Sequence, residues 1–287
     1  MLDIPFFYIA LIGSGLAGLI DLKTTEIPDQ IPYIMAIIGI LGYSFISYST
    51  GSYLPIMNSC IVGLVFLGFG FLMYYTGQWG GGDAKLLSAI GFLLPYVSFP
   101  LNHSLFNFPI TYFINVFLVG TAYMIVYILI LSIIRRDIWT AFFKKVRQES
   151  RKVLKINSAL ICSFIFFSIF SNNYYGYSYD SLFSFGLITI FGVLGFYLFF
   201  RFAKTVETVG FKMKVPIKKL RVGDVLDSSK VWDGITEKEL KKLQKSDKKH
   251  VMVKDGVRFG PSFLLALLFT YYYGDAVVWI MENFVFA

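Results

Sequence analysis

The chain contains little cysteine, little histidine and few charged residues. Its 287 residues include two Cys, at Cys60 and Cys162, and only two His. Two cysteines argue against a disulfide scaffold and a Cys-based zinc module, and two histidines argue against a metal site built from imidazoles. Charged residues make up 15% of the chain, well below the roughly 25% of soluble globular domains. This composition excludes a water-soluble globule.

Hydrophobic residues are correspondingly abundant. They make up 56% of the chain, which includes 31 Phe and 19 Tyr, and the mean hydropathy is +0.65. A membrane-spanning helix needs about 20 apolar residues, and several runs approach this length. We therefore predict an all-α polytopic membrane protein with about eight transmembrane helices. The runs cover residues 4–20, 31–50, 54–75, 84–99, 108–134, 157–171, 181–200 and 261–281.

The basic residues are confined to alternate connections between these runs. Of the 26 Lys and Arg, eight lie in residues 135–155 and sixteen in residues 201–258, and the other two are Lys23 and Lys85. The intervening connections and both termini contain none. Because Lys and Arg in short connections mark the cytoplasmic side, the pattern predicts that these basic connections are cytoplasmic and that both termini lie outside.

The longest polar stretch, residues 201–260, is predicted to be a cytosolic insert. It contains 16 basic and 8 acidic residues. The basic residues are mostly Lys, spread out, with few aromatic residues between them. We therefore expect contact with anionic membrane lipids and no nucleic-acid binding. The chain then divides into a transmembrane domain (1–200) with a basic cytosolic loop (135–157), the insert, and a C-terminal transmembrane helix (261–287).

Two local patterns predict the secondary structure of the insert. A capping box at 236–239 predicts that a helix begins there and covers about 237–246. An Asp-Gly pair at 255–256 is a favoured hairpin turn. We therefore predict that residues 251–253 pair with residues 257–259, which gives the insert a small α+β fold.

Two junctions on the predicted cytoplasmic side carry carboxylates beside span ends. The first runs from Asp21 to Asp29, and the second from Gly77 to Lys85 includes Asp83. Because both junctions lie on one side of the predicted topology, Asp21 and Asp83 are able to meet. Two carboxylates in contact do not both ionise easily, so they share one proton. One then accepts a proton from water while the other donates, which hydrolyses an amide without a metal ion.

The residues around these carboxylates have structural as well as functional interpretations. Gly80–Gly82 let a substrate strand approach the backbone closely because they lack Cβ atoms, but a flexible turn has the same composition. Asp83 has a competing role as the N-cap of the following helix. Lys23 and Lys85 each follow their Asp by two residues. They offer electrostatic support to the carboxylates, or they anchor the chain at the membrane surface.

The two junctions resemble the motifs of a known family. The second junction is similar to the Gly-x-Gly-Asp motif of intramembrane aspartyl proteases, specifically type IV prepilin and preflagellin (archaellin) peptidases. Its residues are Gly80-Gly81-Gly82-Asp83-Ala84-Lys85. In that family an earlier Asp ends a helix and is followed by Lys and Ile-Pro. The first junction matches with Asp21, Lys23, Ile27 and Pro28, and stretches 221–226, 234–236 and 256–261 resemble archaeal members.

The resemblance implies a reaction and a site. Such enzymes remove the short basic leader, a class III signal peptide, from type IV pilin-like or archaellin precursors at the cytoplasmic membrane face. Asp21 and Asp83 match the catalytic pair, which makes 1–200 the catalytic domain. The implied partners are the precursor and membrane lipids, and no cofactor or metal is implied. The chain has no Cys-x-x-Cys module, which favours an archaeal enzyme that only cleaves.

An alternative function is an ion- or proton-coupled membrane transporter that uses the paired Asp. A transporter is expected to hold its charges near the bilayer midplane, between inverted repeats, whereas Asp21 and Asp83 are predicted at the cytoplasmic edge. The sequence leaves open which precursor is the natural substrate and which Asp is the general base. It also leaves open the role of the insert and the oligomeric state.

Overall fold

The computed structural model describes residues 4–96, 105–175, 179–229, 234–246, 249–254 and 256–285. Helices dominate this part of the chain, and a three-stranded sheet accompanies them. The helices are α1 (Ile4–Thr24), α2 (Gln30–Thr50), α3 (Leu54–Tyr75), α4 (Gly81–Leu93), α5 (Phe108–Ile134), α6 (Arg136–Tyr175), α7 (Tyr179–Thr205), α8 (Glu237–Gln244), α9 (Gly260–Tyr273) and α10 (Ala276–Ile280). The strands are β1 (Lys212–Pro216), β2 (Val225–Leu226) and β3 (His250–Lys254).

The apolar helices confirm the predicted fold class of an all-α polytopic membrane protein. Within the described residues, five helices are long and apolar enough to cross a membrane. They are α1, α2, α3, α5 and the segment Gly186–Gly210, which consists of most of α7 and the π-helical turn Val206–Gly210 that follows it. Helices α9 and α10, which are bent by 66° at a short break, make a sixth candidate if they form one span. The chain is therefore a multi-pass membrane protein, with fewer full-length spans in the described part than the eight predicted.

The predicted fourth span is a short helix in the structure. Helix α4 has 13 residues and is about 20 Å long, whereas the hydrocarbon core of a bilayer is about 30 Å thick. It ends at Leu93 because Leu94 precedes Pro95, and the residue before a proline disfavours the helical conformation. Part of the predicted span, residues 97–99, lies outside the described residues.

Helix α4 is enclosed by its neighbours α2 and α3. Ala84 and all of its residues from Leu86 to Leu93 are buried. At its end, the Ser59 hydroxyl donates to the Phe92 carbonyl at 2.7 Å, and the Tyr43 hydroxyl donates to the Leu93 carbonyl at 3.1 Å. The last carbonyls of a helix lack partners within it, so these hydroxyls replace water. A helix that ends among protein groups is able to stop at membrane depth.

The predicted sixth span is part of a longer helix. Residues 157–171 fall within α6, which has 40 residues and begins with a charged half. Helices α6 and α7 belong to a compact unit, Ile128–Met213. Within it, Glu149 forms an ion pair with Arg201 and accepts a hydrogen bond from the Tyr197 hydroxyl at 2.8 Å. These contacts join α6 to α7.

The break between α9 and α10 is stabilised by one buried amide. The Asn115 side chain, on α5, donates from Nδ2 to Thr270 Oγ1 at 2.9 Å and to the Gly274 carbonyl at 2.7 Å. Its Oδ1 accepts the Ala276 N–H at 3.0 Å. Because an unpaired backbone group costs several kcal/mol in a membrane, these bonds make the bend possible. All four residues belong to the other compact unit, Met1–Tyr127 with Lys214–Ala287.

The insert has the predicted α+β fold. Thr236 opens α8 with the predicted capping box, since its backbone N–H donates to Glu239 Oε2 at 2.8 Å and its hydroxyl accepts from the Glu239 N–H at 3.4 Å. The sheet has the strand order β1-β3-β2. Its small apolar core contains Leu220, Ile235 and Val253.

The predicted hairpin within the insert is wrong. Strand β3 pairs with β2 in antiparallel register, Val225 opposite Lys254 and Leu226 opposite Val253, and residues 257–259 are not in a strand. Asp255 lies outside the described residues. Residues 257–259 lead directly into α9, and Arg258 contacts the end of α1. Contacts distant in sequence therefore determine the conformation here, rather than the local turn signal.

Candidate active site

Asp21 lies in the last turn of α1 and is almost completely buried. It is 4% exposed, and the Gly260 N–H donates to its Oδ2 at 2.7 Å. Gly260 is the first residue of α9, where backbone N–H groups have no partner within the helix. A Cβ atom at Gly260 would lie 2.9 Å from both Cβ and Oδ2 of Asp21. The contact therefore requires glycine at this position.

Asp83 is the third residue of α4. Gly80, in an extended conformation, is the N-cap, and its N–H donates to Asp83 Oδ2 at 3.0 Å. The predicted competing role of Asp83 as N-cap is therefore wrong. Its side chain instead accepts the hydrogen bond from the N–H of the N-cap residue, which is one of the two hydrogen bonds of a capping box. Glycine at the N-cap has no side-chain oxygen for the other half.

The two carboxylates come together because the first junction packs against the start of α4. Ile27, which is buried, contacts Gly82 so closely that a Cβ atom there would lie 2.8 Å from Ile27 Cβ. This approach brings Asp21 and Asp83 close enough for their charges to interact. Of the three glycines, Gly82 is the one that this contact requires, since a Cβ at Gly81 would meet only the Tyr74 ring at 3.9 Å.

The surroundings of Asp83 favour its protonated form. The residue as a whole is half-buried, but its carboxyl group is enclosed by protein. Loss of hydration, and secondly the negative charge of Asp21, raise the pKa of Asp83, although the hydrogen bond from Gly80 acts in the opposite direction. A protonated carboxyl beside an ionised one supplies the acid and the base that amide hydrolysis needs.

The two lysines of the motifs differ in their surroundings. The Lys85 ammonium group lies 2.7 Å from Asp29 Oδ1 and 5.5 Å from the centre of the Tyr33 ring. It therefore joins the start of α4 to the first junction, through Asp29. Lys23 is exposed in the last turn of α1. Any electrostatic support that these lysines give to the carboxylates stays a prediction.

An aromatic cluster beside the carboxylates was missed by sequence reasoning. Trp79 is 6% exposed and stacks on Phe117 with ring centres 5.7 Å apart. It also contacts the rings of Phe259 and Phe263, each at 5.7 Å. The cluster joins the start of α4 to α5 and α9. The only local signal was a tryptophan directly before the three glycines.

Arg258 was also missed, because it was expected in a strand. Its Nε donates to the Leu22 carbonyl at 3.0 Å, and its Nη1 donates to the Tyr127 hydroxyl at 2.8 Å. The stretch 256–261 resembles archaeal members of the family, but this resemblance does not indicate a contact between Arg258 and α1. The described residues contain no group of three or more His, Cys, Asp or Glu that could hold a metal ion.

The contribution of Asp83 to the stability of the folded protein is expected to fall as the pH rises. Because the pKa of Asp83 is raised in the folded state above its ordinary value of 3.8, folding strengthens proton binding. This stabilisation is complete below pH 3.8 and is lost as the pH rises through the raised pKa. Asp83→Asn is expected to remove this loss, because an amide does not ionise. The loss of stability is measured by thermal unfolding of the detergent-solubilised wild type and Asp83→Asn as a function of pH.

Asp137→Asn is the control for this measurement. The hydrogen bond from Arg135 lowers the pKa of Asp137, so this exposed carboxylate contributes stability of the opposite pH dependence. Its removal should leave the loss at rising pH in place. Equal pH dependence in wild type and Asp83→Asn would contradict the expectation.

Comparison with known proteins gives similarities over the part of the chain that holds both carboxylates. The sequence profile of the type IV leader peptidase family matches residues 8–138. The preflagellin peptidase of Methanococcus voltae is 36% identical over 99 residues, which are 34% of this chain and 42% of that protein. The preflagellin peptidase of Methanocaldococcus jannaschii is 32% identical over 96 residues, 33% of this chain and 41% of that protein.

A longer but weaker similarity involves a prepilin peptidase. Prepilin peptidase EppA of Methanothermobacter thermautotrophicus is 24% identical over 180 residues, 58% of this chain and 46% of that protein. The chain thus spans less than half the length of each of these three relatives, 42%, 41% and 46%. The resemblance to archaeal type IV prepilin and preflagellin peptidases, predicted from the two Asp motifs, is confirmed over the matched residues.

Proposed function

We propose that this chain, whose residues 8–138 resemble the type IV leader peptidase family, is a membrane aspartic endopeptidase. Its proposed reaction is the removal of the short basic leader, a class III signal peptide, from type IV pilin-like or archaellin precursors. The observation that carries the proposal is the packing of Ile27 against Gly82, which brings the two junctions and their carboxylates together. A raised pKa at Asp83 supports it further, because acid–base hydrolysis needs one protonated carboxyl.

The proposed site roles follow the two junctions. Asp21 and Asp83 form the catalytic pair, and the backbone of Gly80, Gly81 and Gly82 lies beside the substrate strand. The two motif lysines give electrostatic support, with Lys85 acting through its ion pair with Asp29. Residues 1–200 form the catalytic domain, residues 201–260 the cytosolic insert and residues 261–287 the C-terminal transmembrane helix.

The site is proposed to face the cytoplasm. The support is the distribution of basic residues, since all 26 Lys and Arg lie in the two junctions, in residues 135–155 or in residues 201–258. Basic residues near span ends are retained on the cytoplasmic side. The insert would then face the anionic lipids of the inner leaflet.

The transporter alternative has no support among the relatives. The three relatives described above are a prepilin peptidase and two preflagellin peptidases by name. The buried carboxylates also lie at helix termini rather than at the middle of long spans, since Asp21 is in the last turn of α1 and Asp83 in the first turn of α4. Transporter sites are expected near the midplane.

Purified protein in liposomes, incubated with archaellin and type IV pilin-like precursors, tests the proposal. We expect at least one precursor to lose its basic leader, and N-terminal sequencing of the product to give one new terminus at the leader boundary. The precursors without the enzyme are the control. Inserted, folded protein that shortens none of them would contradict the proposed function.

A further inference from the structure

The segment that leads into α9 contacts the last turn of α1 twice. This lead segment comprises residues 256–260. The Gly260 N–H donates to Asp21 Oδ2 at 2.7 Å, and Arg258 Nε donates to the Leu22 carbonyl at 3.0 Å. One contact holds the carboxylate, and the other holds the backbone directly after it. The lead segment therefore determines the position of Asp21 from outside α1.

The Arg258 guanidinium is itself held by α5. Its Nη1 donates to the Tyr127 hydroxyl at 2.8 Å, and the Tyr123 hydroxyl donates to the Arg258 carbonyl at 2.8 Å. The two tyrosines lie one helical turn apart, with ring centres 6.1 Å apart. Both the side chain and the backbone of Arg258 are therefore fixed, which is what a residue needs if it is to position another group.

The charges around the two carboxylates are unequal. Asp21 accepts a hydrogen bond from the Gly260 N–H, and Arg258 is close enough to it for their charges to interact. Asp21 also faces the neutral Tyr123 hydroxyl and Asp83. The groups that act on Asp83 are Asp21 and the N–H of Gly80. An opposite charge favours the ionised form of a carboxyl, and a like charge disfavours it. The cation therefore lies on the Asp21 side of the pair.

We propose that Arg258 is a positioning residue that keeps Asp21 as the ionised member of the pair, so that Asp83 carries the shared proton. This inference rests on the proposed function and deepens it. Asp21 then accepts a proton from water as the water oxygen bonds to the scissile carbonyl carbon, and Asp83 gives its proton to the carbonyl oxygen. When the carbon–nitrogen bond breaks, Asp21 returns its proton to the nitrogen. Asp83 recovers its proton from a hydroxyl of the intermediate as the carbonyl re-forms.

The pH dependence of cleavage by Arg258→Gln and Arg258→Lys tests this inference. The acid limb of the profile reports loss of the ionised carboxylate. Arg258→Gln is expected to move this limb upward by about 1 pH unit, because it removes the opposite charge. Activity then falls about 10-fold on the acid side and recovers at higher pH. Arg258→Lys keeps the charge and is expected to keep the limb near its wild-type position, with lower activity at all pH values.

Arg221→Gln is the matched control, since Arg221 is an exposed arginine of the insert. It should leave the limb unmoved. An unmoved limb in Arg258→Gln, with activity lowered equally at every pH, would mean that Arg258 is merely structural and would overturn the inference. If that variant does not fold, Tyr127→Phe replaces it. Tyr127→Phe removes the hydroxyl that accepts a hydrogen bond from the Arg258 guanidinium. It is expected to move the acid limb upward by less than Arg258→Gln does, and an unmoved limb would again overturn the inference.

The controls also separate this inference from the proposed function. A wild-type protein that cleaves no precursor contradicts the proposed function and removes the basis of the inference. A wild-type protein that cleaves, together with an unmoved limb in Arg258→Gln, leaves the proposed function intact and contradicts only the role of Arg258.

Discussion

Asp21→Asn and Asp83→Asn are each expected to lower the rate of precursor cleavage by about 10²–10⁴-fold, the contribution of a positioned acid or base. The asparagine at position 21 cannot accept the proton of the attacking water. The asparagine at position 83 has no acidic proton to donate. Because the two groups act as one unit, the double variant is expected to be about as inactive as each single variant.

The measurement is cleavage of a precursor by the variants in liposomes, read by N-terminal sequencing and by the shift in precursor size. Asp137→Asn is the control for the chemical change, since Asp137 is an exposed carboxylate on α6 that pairs with Arg135. It should cleave at the wild-type rate. Unchanged cleavage by Asp21→Asn or by Asp83→Asn would eliminate the paired-carboxylate mechanism.

Gly260→Ala is expected to cause the second large loss of cleavage, although position 260 carries no functional side chain. The new Cβ atom would lie 2.9 Å from Asp21 Cβ and Oδ2, which is closer than real Cβ contacts. The Asp21 side chain must therefore move, and the bond from the position 260 N–H lengthens. A displacement of about 1 Å in a catalytic group costs on the order of 10²-fold in rate.

Gly68→Ala is the matched control for this substitution. Gly68 lies within α3, and a Cβ atom there would meet nothing within 4 Å. It should therefore retain full cleavage. Both variants should insert into the membrane, and thermal unfolding separates the stability cost of the overpacked contact in Gly260→Ala, about 1–3 kcal/mol, from its effect on cleavage by the folded protein. Full cleavage by Gly260→Ala would show that the close contact with Asp21 is not needed for the reaction.

Much of the helical framework could be predicted because it depends on local properties. The bounds of α2, α3 and α5 agree closely with the apolar runs at 31–50, 54–75 and 108–134. An apolar run of that length has one stable structure in lipid, a helix that satisfies its own backbone. The capping box that opens α8 is also local, since Thr236 and Glu239 satisfy each other's N–H groups within one turn.

Other elements could not be predicted because they depend on contacts between distant residues. Helix α4 is 13 residues long, and hydroxyls from Ser59 and Tyr43 compensate for its early end. The bend between α9 and α10 depends on Asn115, which is far away in sequence. A hydropathy run contains no information about which distant polar group will replace the backbone partner that is lost.

The sequence by itself determined that this protein lies in a membrane, because 15% charged residues cannot cover a water-facing surface. It also determined that two junctions carry carboxylates beside span ends, and that three glycines precede the carboxylate of the second. Only the tertiary structure decided that α9 begins against Asp21, and that Arg258 is part of that contact instead of a strand. Hydrophobicity and helix signals act over a few turns, whereas the charge around a buried carboxylate depends on whichever residues the fold brings next to it.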